Sequence, residues 1–170
     1  MPATGSTQTH ISQVRVSLSD FIKDYYIDEL NCLISEEHYF VAFLVISSGI
    51  EFLGKAISGS GWSVVGKSKR DFNKALRTFK SLRKYSKLGL KQDGAKSGDS
   101  SLYSIVRCGI VHFSCPGYGI TLTDEGDALP HEIGIKDFSS DFIAACNDLL
   151  NGKVSLGKGK ALADIICYIG

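Results

Sequence analysis

Tyr39 to Ile46 is an unbroken run of eight apolar residues, Tyr-Phe-Val-Ala-Phe-Leu-Val-Ile, and it constrains the fold more than any other stretch of the chain. A helix that is apolar on nearly every side has no face to give to water, so other elements must surround it. The run is far shorter than the ~20 residues that span a bilayer, and Glu37, Ser47, Ser48 and Glu51 flank it. It therefore predicts no membrane segment but a central, buried helix. Ser35-Glu36-Glu37-His38 opens that helix, which continues to about Ile57.

The remaining pattern supplies elements to cover it. Leu18, Phe21, Ile22, Tyr25, Leu30, Leu33 and Ile34 recur at helical spacing from about Ser17 to Ile34. From Ser68 to about Leu88, Phe72, Ala75, Leu76, Phe79 and Leu82 share one arc of a helix, with Arg70, Lys74, Arg77 and Lys84 opposite. Leu102, Ile105, Val106, Gly109, Ile110 and Phe113 form a further helical stripe, stopped by Pro116-Gly117. Asp137-Phe138-Ser139-Ser140 leads into a last helix carrying Phe142, Ile143, Ala145, Cys146, Leu149 and Leu150. Between these two helices, residues 119–123 and 132–136 read as short strands of a hairpin, about 118–137, around an acidic Gly/Pro turn. With 170 residues, 44% of them apolar, the chain suffices for one core. The expectation is a mainly α protein: one domain over 15–170, a bundle of four to five helices with a small hairpin. Residues 1–14 are expected to be disordered; the chain from 152 on reads ambiguously, with a short docking helix over 161–169 as one option.

Charge is unevenly spread. Residues 67–91 carry ten basic side chains against the single acid Asp71, so the rest nets −8 beneath an overall +1. A polyanion is the natural partner of such a basic stripe, although a solvated outer face has the same composition. The five cysteines are scattered, without a CxxC, behind a polar start lacking an apolar signal core, which predicts reduced thiols and a cytoplasmic location. Cys108, His112, Cys115 and His131 match no zinc-ligand spacing, so no metal is expected.

Arg107-Cys108-Gly109-Ile110-Val111-His112 places a permanent cation and a near-neutral titrating imidazole inside an apolar helical segment. That pairing suits handling of a phosphodiester without a metal. The stretch Leu102 to His112, following an earlier very apolar helix, resembles the HEPN family (higher eukaryote and prokaryote nucleotide-binding domains), whose signature is Arg, four to six residues, then His. The resemblance covers most of residues 16–150. It implies a small all-α bundle that dimerises so that two Arg-His helices meet, and a metal-independent endoribonuclease, a toxin or defence component, with RNA as substrate and an antitoxin or other protein as possible partner. Cys108 stands where many active members carry Asn, and Ser114 where one toxin group carries Tyr, so the tyrosine-modified subtype is not expected.

Under this resemblance the substrate's own 2′-hydroxyl is the nucleophile and no cofactor is needed. His112 would act as general base or acid, and Arg107 would stabilise charge on the non-bridging oxygens. Five helical residues set Arg107 and His112 about 140° apart, which favours a composite site between two copies of the chain. Gly109 between them would allow a close approach by a partner helix or an RNA backbone. Ser48 and Glu51 interrupt the central helix where a polar group could reach the same cleft, and Glu51 is the candidate to orient Arg107 or His112. Its alternative is a structural ion pair. Lys74, Arg77 and Lys84 are the expected RNA-binding cations. Two other readings remain: a module of the same fold that binds RNA, a nucleotide or a protein without cutting, and a P-loop, since residues 61–68 match GxxxxGK[ST]. The P-loop requires a buried strand before its first glycine.

Overall fold

The structure is a computed structural model and describes residues 12–59, 66–88, 102–104, 121–124, 132–158 and 165–169. It is a mainly helical bundle with small β elements. Leu18–Phe21, Ile22–Asp28 and Glu29–Ser35 run on as one helix, α1, whose middle segment is a π-helix. Ser17 caps its start, its hydroxyl accepting the Asp20 N–H at 3.1 Å. Helix α2 is Tyr39–Ser58, α3 is Ser68–Thr78 and α4 is Ile135–Leu150.

The π segment corrects one inward-facing residue. Glu29 N–H bonds to the Asp24 carbonyl, five residues back, so the inner face drifts relative to an α-helix. Tyr26 consequently packs inward, against Phe52 at 5.2 Å and Phe142 at 5.6 Å, while Tyr25 is exposed.

Helix α2 is the central element and packs on α1, α3 and α4. Its 20 residues also make it, among the described residues, the helix long and apolar enough to cross a membrane, with a mean hydropathy of 1.8 in its most apolar window. In the bundle Ala42, Phe43, Ile46, Ile50, Leu53 and Ala56 are buried, whereas Phe40 and Val41 near its start stay exposed. Gly59 ends it in the left-handed conformation, φ 68°, the ordinary role of glycine after a helix. A close approach joins α2 and α3: a Cβ on Gly54 would overlap the backbone carbonyl of Asp71.

Helix α3 is shorter than its sequence predicts. It stops at Thr78, Phe79 is extended, and a 3₁₀ turn, Arg83–Lys87, follows. The physical reason lies in the spacing of the apolar residues. Phe79, Leu82, Tyr85 and Leu88 are all buried and recur every third position, which matches three residues per turn and would rotate out of an α-helical face.

The expected hairpin is also corrected. The strands form, as β2 (Thr121–Thr123) and β3 (Glu132–Gly134), but they pair in parallel, Thr121 opposite Glu132 and Thr123 opposite Gly134. Strand β3 feeds directly into α4, so the docking of that helix fixes its direction. The eight residues from 124 to 131 can span about 26 Å, ample to return beside a three-residue strand. A second ribbon joins the ends of the chain: β1 (Ser12–Val16) pairs antiparallel with β4 (Ile165–Ile169). Strand β1 thus begins inside the stretch expected to be disordered, and over 165–169, where a docking helix was one option, the chain forms β4. The sequence Ile-Ile-Cys-Tyr-Ile is rich in β-branched and aromatic side chains, which suit a pleated strand better than a helix.

Candidate functional site

Phe72, Ala75 and Leu76 turn α3 into the core, and the opposite side carries its polar residues outward. Gly66, Lys69, Arg70, Asn73, Lys74, Arg77 and Thr78, three or four positions apart, line an open groove of about 630 Å³ along that face. Of the four cations, Arg70 is held by its neighbour: its Nε and Nη2 donate to Asp71 Oδ1 at 3.2 and 2.9 Å. Asp71 itself is buried and does not line the groove. Lys74 Nζ donates to the Ile57 carbonyl at 3.2 Å, placing a cation at the negative end of α2. Arg77 is exposed, and its guanidinium forms no ion pair among the described residues. With these donors and cations in its lining, the groove is equipped to bind oxyanions.

A second polar face lies on α2. Glu51 is buried and its Oε1 sits 3.2 Å from Lys55 Nζ, one turn along the same helix. Ser47, one turn earlier, is fully buried, and its hydroxyl has no hydrogen-bond partner among the described residues. Tyr26 faces this region. Burial first, then the neighbouring Cys146 and Glu51, push its phenol well above the ordinary tyrosine range. Burial likewise pushes the Cys146 thiol up. Both groups are thereby kept neutral, and Cys146 is held in its unreactive thiol form. Among the described residues no three His, Cys, Asp or Glu side chains gather as a metal site would require.

The expected site residues separate. Lys74 and Arg77 share the groove. Lys84 lies outside it, on the 3₁₀ turn, with its Nζ 2.8 Å from Asp141 Oδ2. Ser48 is exposed, and its hydroxyl donates back to the carbonyls of Leu44 and Val45. Arg107, Gly109 and His112 lie outside the described residues. The segment leading to them begins with Leu102 buried and Tyr103 edge-on to Phe72 of α3, ring centroids 5.4 Å apart. Gly66, Lys69, Asn73 and Thr78 are groove residues the sequence reading missed, although their spacing with Arg70, Lys74 and Arg77 was visible. The P-loop reading fails on its upstream side, because the chain before the loop is α2 and its glycine cap, not a strand.

Comparison with known protein families, with curated proteins and with solved structures found no match to this chain.

Proposed function

We propose that this chain binds RNA along the α3 groove and cleaves it, without a metal, through the segment carrying Arg107 and His112. The observation that carries the reading is the groove itself: four cations and, among the described residues, no carboxylate on one helical face, in a chain whose remaining residues are net acidic. Phosphodiester oxygens are the ligand such a face attracts. The cleavage half rests on the Arg-x4-His spacing and its resemblance to the HEPN family. In the reaction, the 2′-oxygen attacks the adjacent phosphorus as its proton passes to a base. The P–O5′ bond breaks, and the leaving 5′-oxygen takes a proton, giving a 2′,3′-cyclic phosphate and a 5′-hydroxyl. His112 moves the proton and Arg107 neutralises charge on the phosphoryl oxygens, with the two residues supplied across a homodimer. Glu51 is the orienting carboxylate in this reading, its ion pair with Lys55 being the competing role.

The test is incubation of wild type, Arg107→Ala and His112→Ala with total RNA in EDTA, followed by chemical analysis of the ends. We expect cyclic-phosphate ends from wild type, and a loss of at least ~100-fold in either variant with the fold intact, the scale of losing a general acid-base partner. Equal cleavage by His112→Ala removes the assigned site. Binding without cleavage by wild type reduces the function to RNA recognition.

A further inference from the structure

We infer that the RNA-binding surface does not end with α3 but continues around the C-terminal end of α2, where Lys158 joins Lys74 and Arg77 in holding phosphates. This rests on the reading of α3 as the RNA-binding face. The last carbonyls of a helix have no partner within it and take donors from elsewhere. At the end of α2 those donors come from two segments far apart in sequence. The Gly157 N–H donates to the Ala56 carbonyl at 3.0 Å, and Lys74 Nζ donates to the next carbonyl, that of Ile57, at 3.2 Å. One helix end thus gathers a groove cation and the residue that leads into Lys158.

The approach is close enough to fix where Lys158 stands. A Cβ on Gly157 would overlap the backbone nitrogen of Gly59, and a Cβ on Gly59 would come 3.0 Å from the Lys158 carbonyl oxygen. Backbone therefore lies against backbone, which a side chain at 157 would prevent. Lys158 itself is exposed. The negative end of the α2 dipole favours cations around it. Arg77 stands three positions from Lys74, about 4.5 Å along α3, so a strand held by these two comes within reach of Lys158. Each phosphate that a cation neutralises on a single strand corresponds to about 0.7 in the slope of log K against log salt.

The experiment is fluorescence anisotropy on the full chain across a salt series. The probe is labelled 2′-O-methyl oligo(U) of about a dozen nucleotides, which lacks the attacking hydroxyl and survives. Lys158→Gln is expected to lose about 0.7 from the slope, and Lys74→Gln/Arg77→Gln about 1.4. Lys23→Gln, on α1 among Asp20, Asp24, Asp28 and Glu29, should leave the slope unchanged. Gly157→Ala keeps every charge but not the contact with Gly59, and should lose as much slope as Lys158→Gln while the circular-dichroism helix signal is retained. A wild-type slope in Lys158→Gln, with the double variant still losing its share, ends the surface at α3 and leaves the α3 reading standing. Equal losses in Lys23→Gln and Lys158→Gln reduce the effect to net charge and also overturn the inference, as does a wild-type slope in folded Gly157→Ala. Slopes unchanged by the double variant remove α3 as the binding face, and this inference with it.

Discussion

Gly54 shows how a single missing side chain sets the geometry of the bundle. It sits in the middle of α2, where alanine is worth about 1 kcal/mol more than glycine by helix propensity alone. The Asp71 carbonyl occupies the place a Cβ would take, and a backbone atom cannot rotate away as a side chain end can. The clash therefore outweighs the propensity gain. Gly54→Ala should destabilise the protein by about 1–3 kcal/mol, the usual cost of overpacking, and should shift α3 outward. Urea unfolding reads the first effect, and on the proposed function the second should appear as weakened RNA binding, because α3 carries the groove. A variant as stable as wild type would mean that α2 and α3 do not approach as closely as described.

At the scale of elements, the contact between the 3₁₀ turn and α4 is polar as well as apolar. The Tyr85 hydroxyl donates to Asp141 Oδ2 at 2.8 Å, the Lys84 ammonium approaches the same oxygen, and the Ser81 hydroxyl donates to the Asp141 carbonyl at 2.7 Å. Burial, then the Asp141 hydrogen bond, push the Tyr85 phenol far above the ordinary tyrosine range. Below about pH 10 the phenol is protonated in folded and unfolded chains alike, so it adds no pH dependence. Above that, the unfolded chain releases the proton and the folded chain keeps it, and stability falls by about 1.4 kcal/mol per pH unit. Tyr85→Phe should therefore cost about 1.5–3 kcal/mol at pH 7, as for a lost hydrogen bond to a charged acceptor, and should lose its share of the alkaline slope. Urea midpoints from pH 7 to 11 check both effects; parallel slopes for the two proteins would contradict the buried phenol. The same region shows where the sequence was legible and where it was not. Phe79 and Leu82 were recognisable as core residues because spacings of three and four both bring residues back to one helical side. Whether the backbone between them is α or 3₁₀ turns on Tyr85 and Leu88, which repeat the interval of three. The positions of β2 and β3 were legible from composition, but their direction depends on how α4 docks, which no local pattern encodes. Of the groove, the cations were visible, and the commitment of Lys84 to Asp141, nearly sixty residues away, was not.

At the scale of the whole molecule, the ends of the chain close on each other. Pairing β1 with β4 places Val14 opposite Cys167, and residues directly opposite in an antiparallel ladder have Cα atoms about 4.5–5.5 Å apart. That separation falls within the window a disulfide accepts. Val14→Cys should therefore form an intramolecular disulfide with Cys167 on mild oxidation. In the chain-entropy account, closing a loop of roughly 150 residues stabilises by up to about 5 kcal/mol, since the unfolded chain loses far more freedom than the folded one. Mass spectrometry of peptides from unreduced Val14→Cys protein should identify the cross-link between the introduced thiol and Cys167, and thermal unfolding should show a gain reversed by reductant. The Val14→Cys/Cys167→Ala variant, which cannot form the bond, controls for the substitution in β1. If oxidation instead joins the introduced thiol to other cysteines at comparable rates, the two ends are not held in this register, and the bundle must be closed by other means.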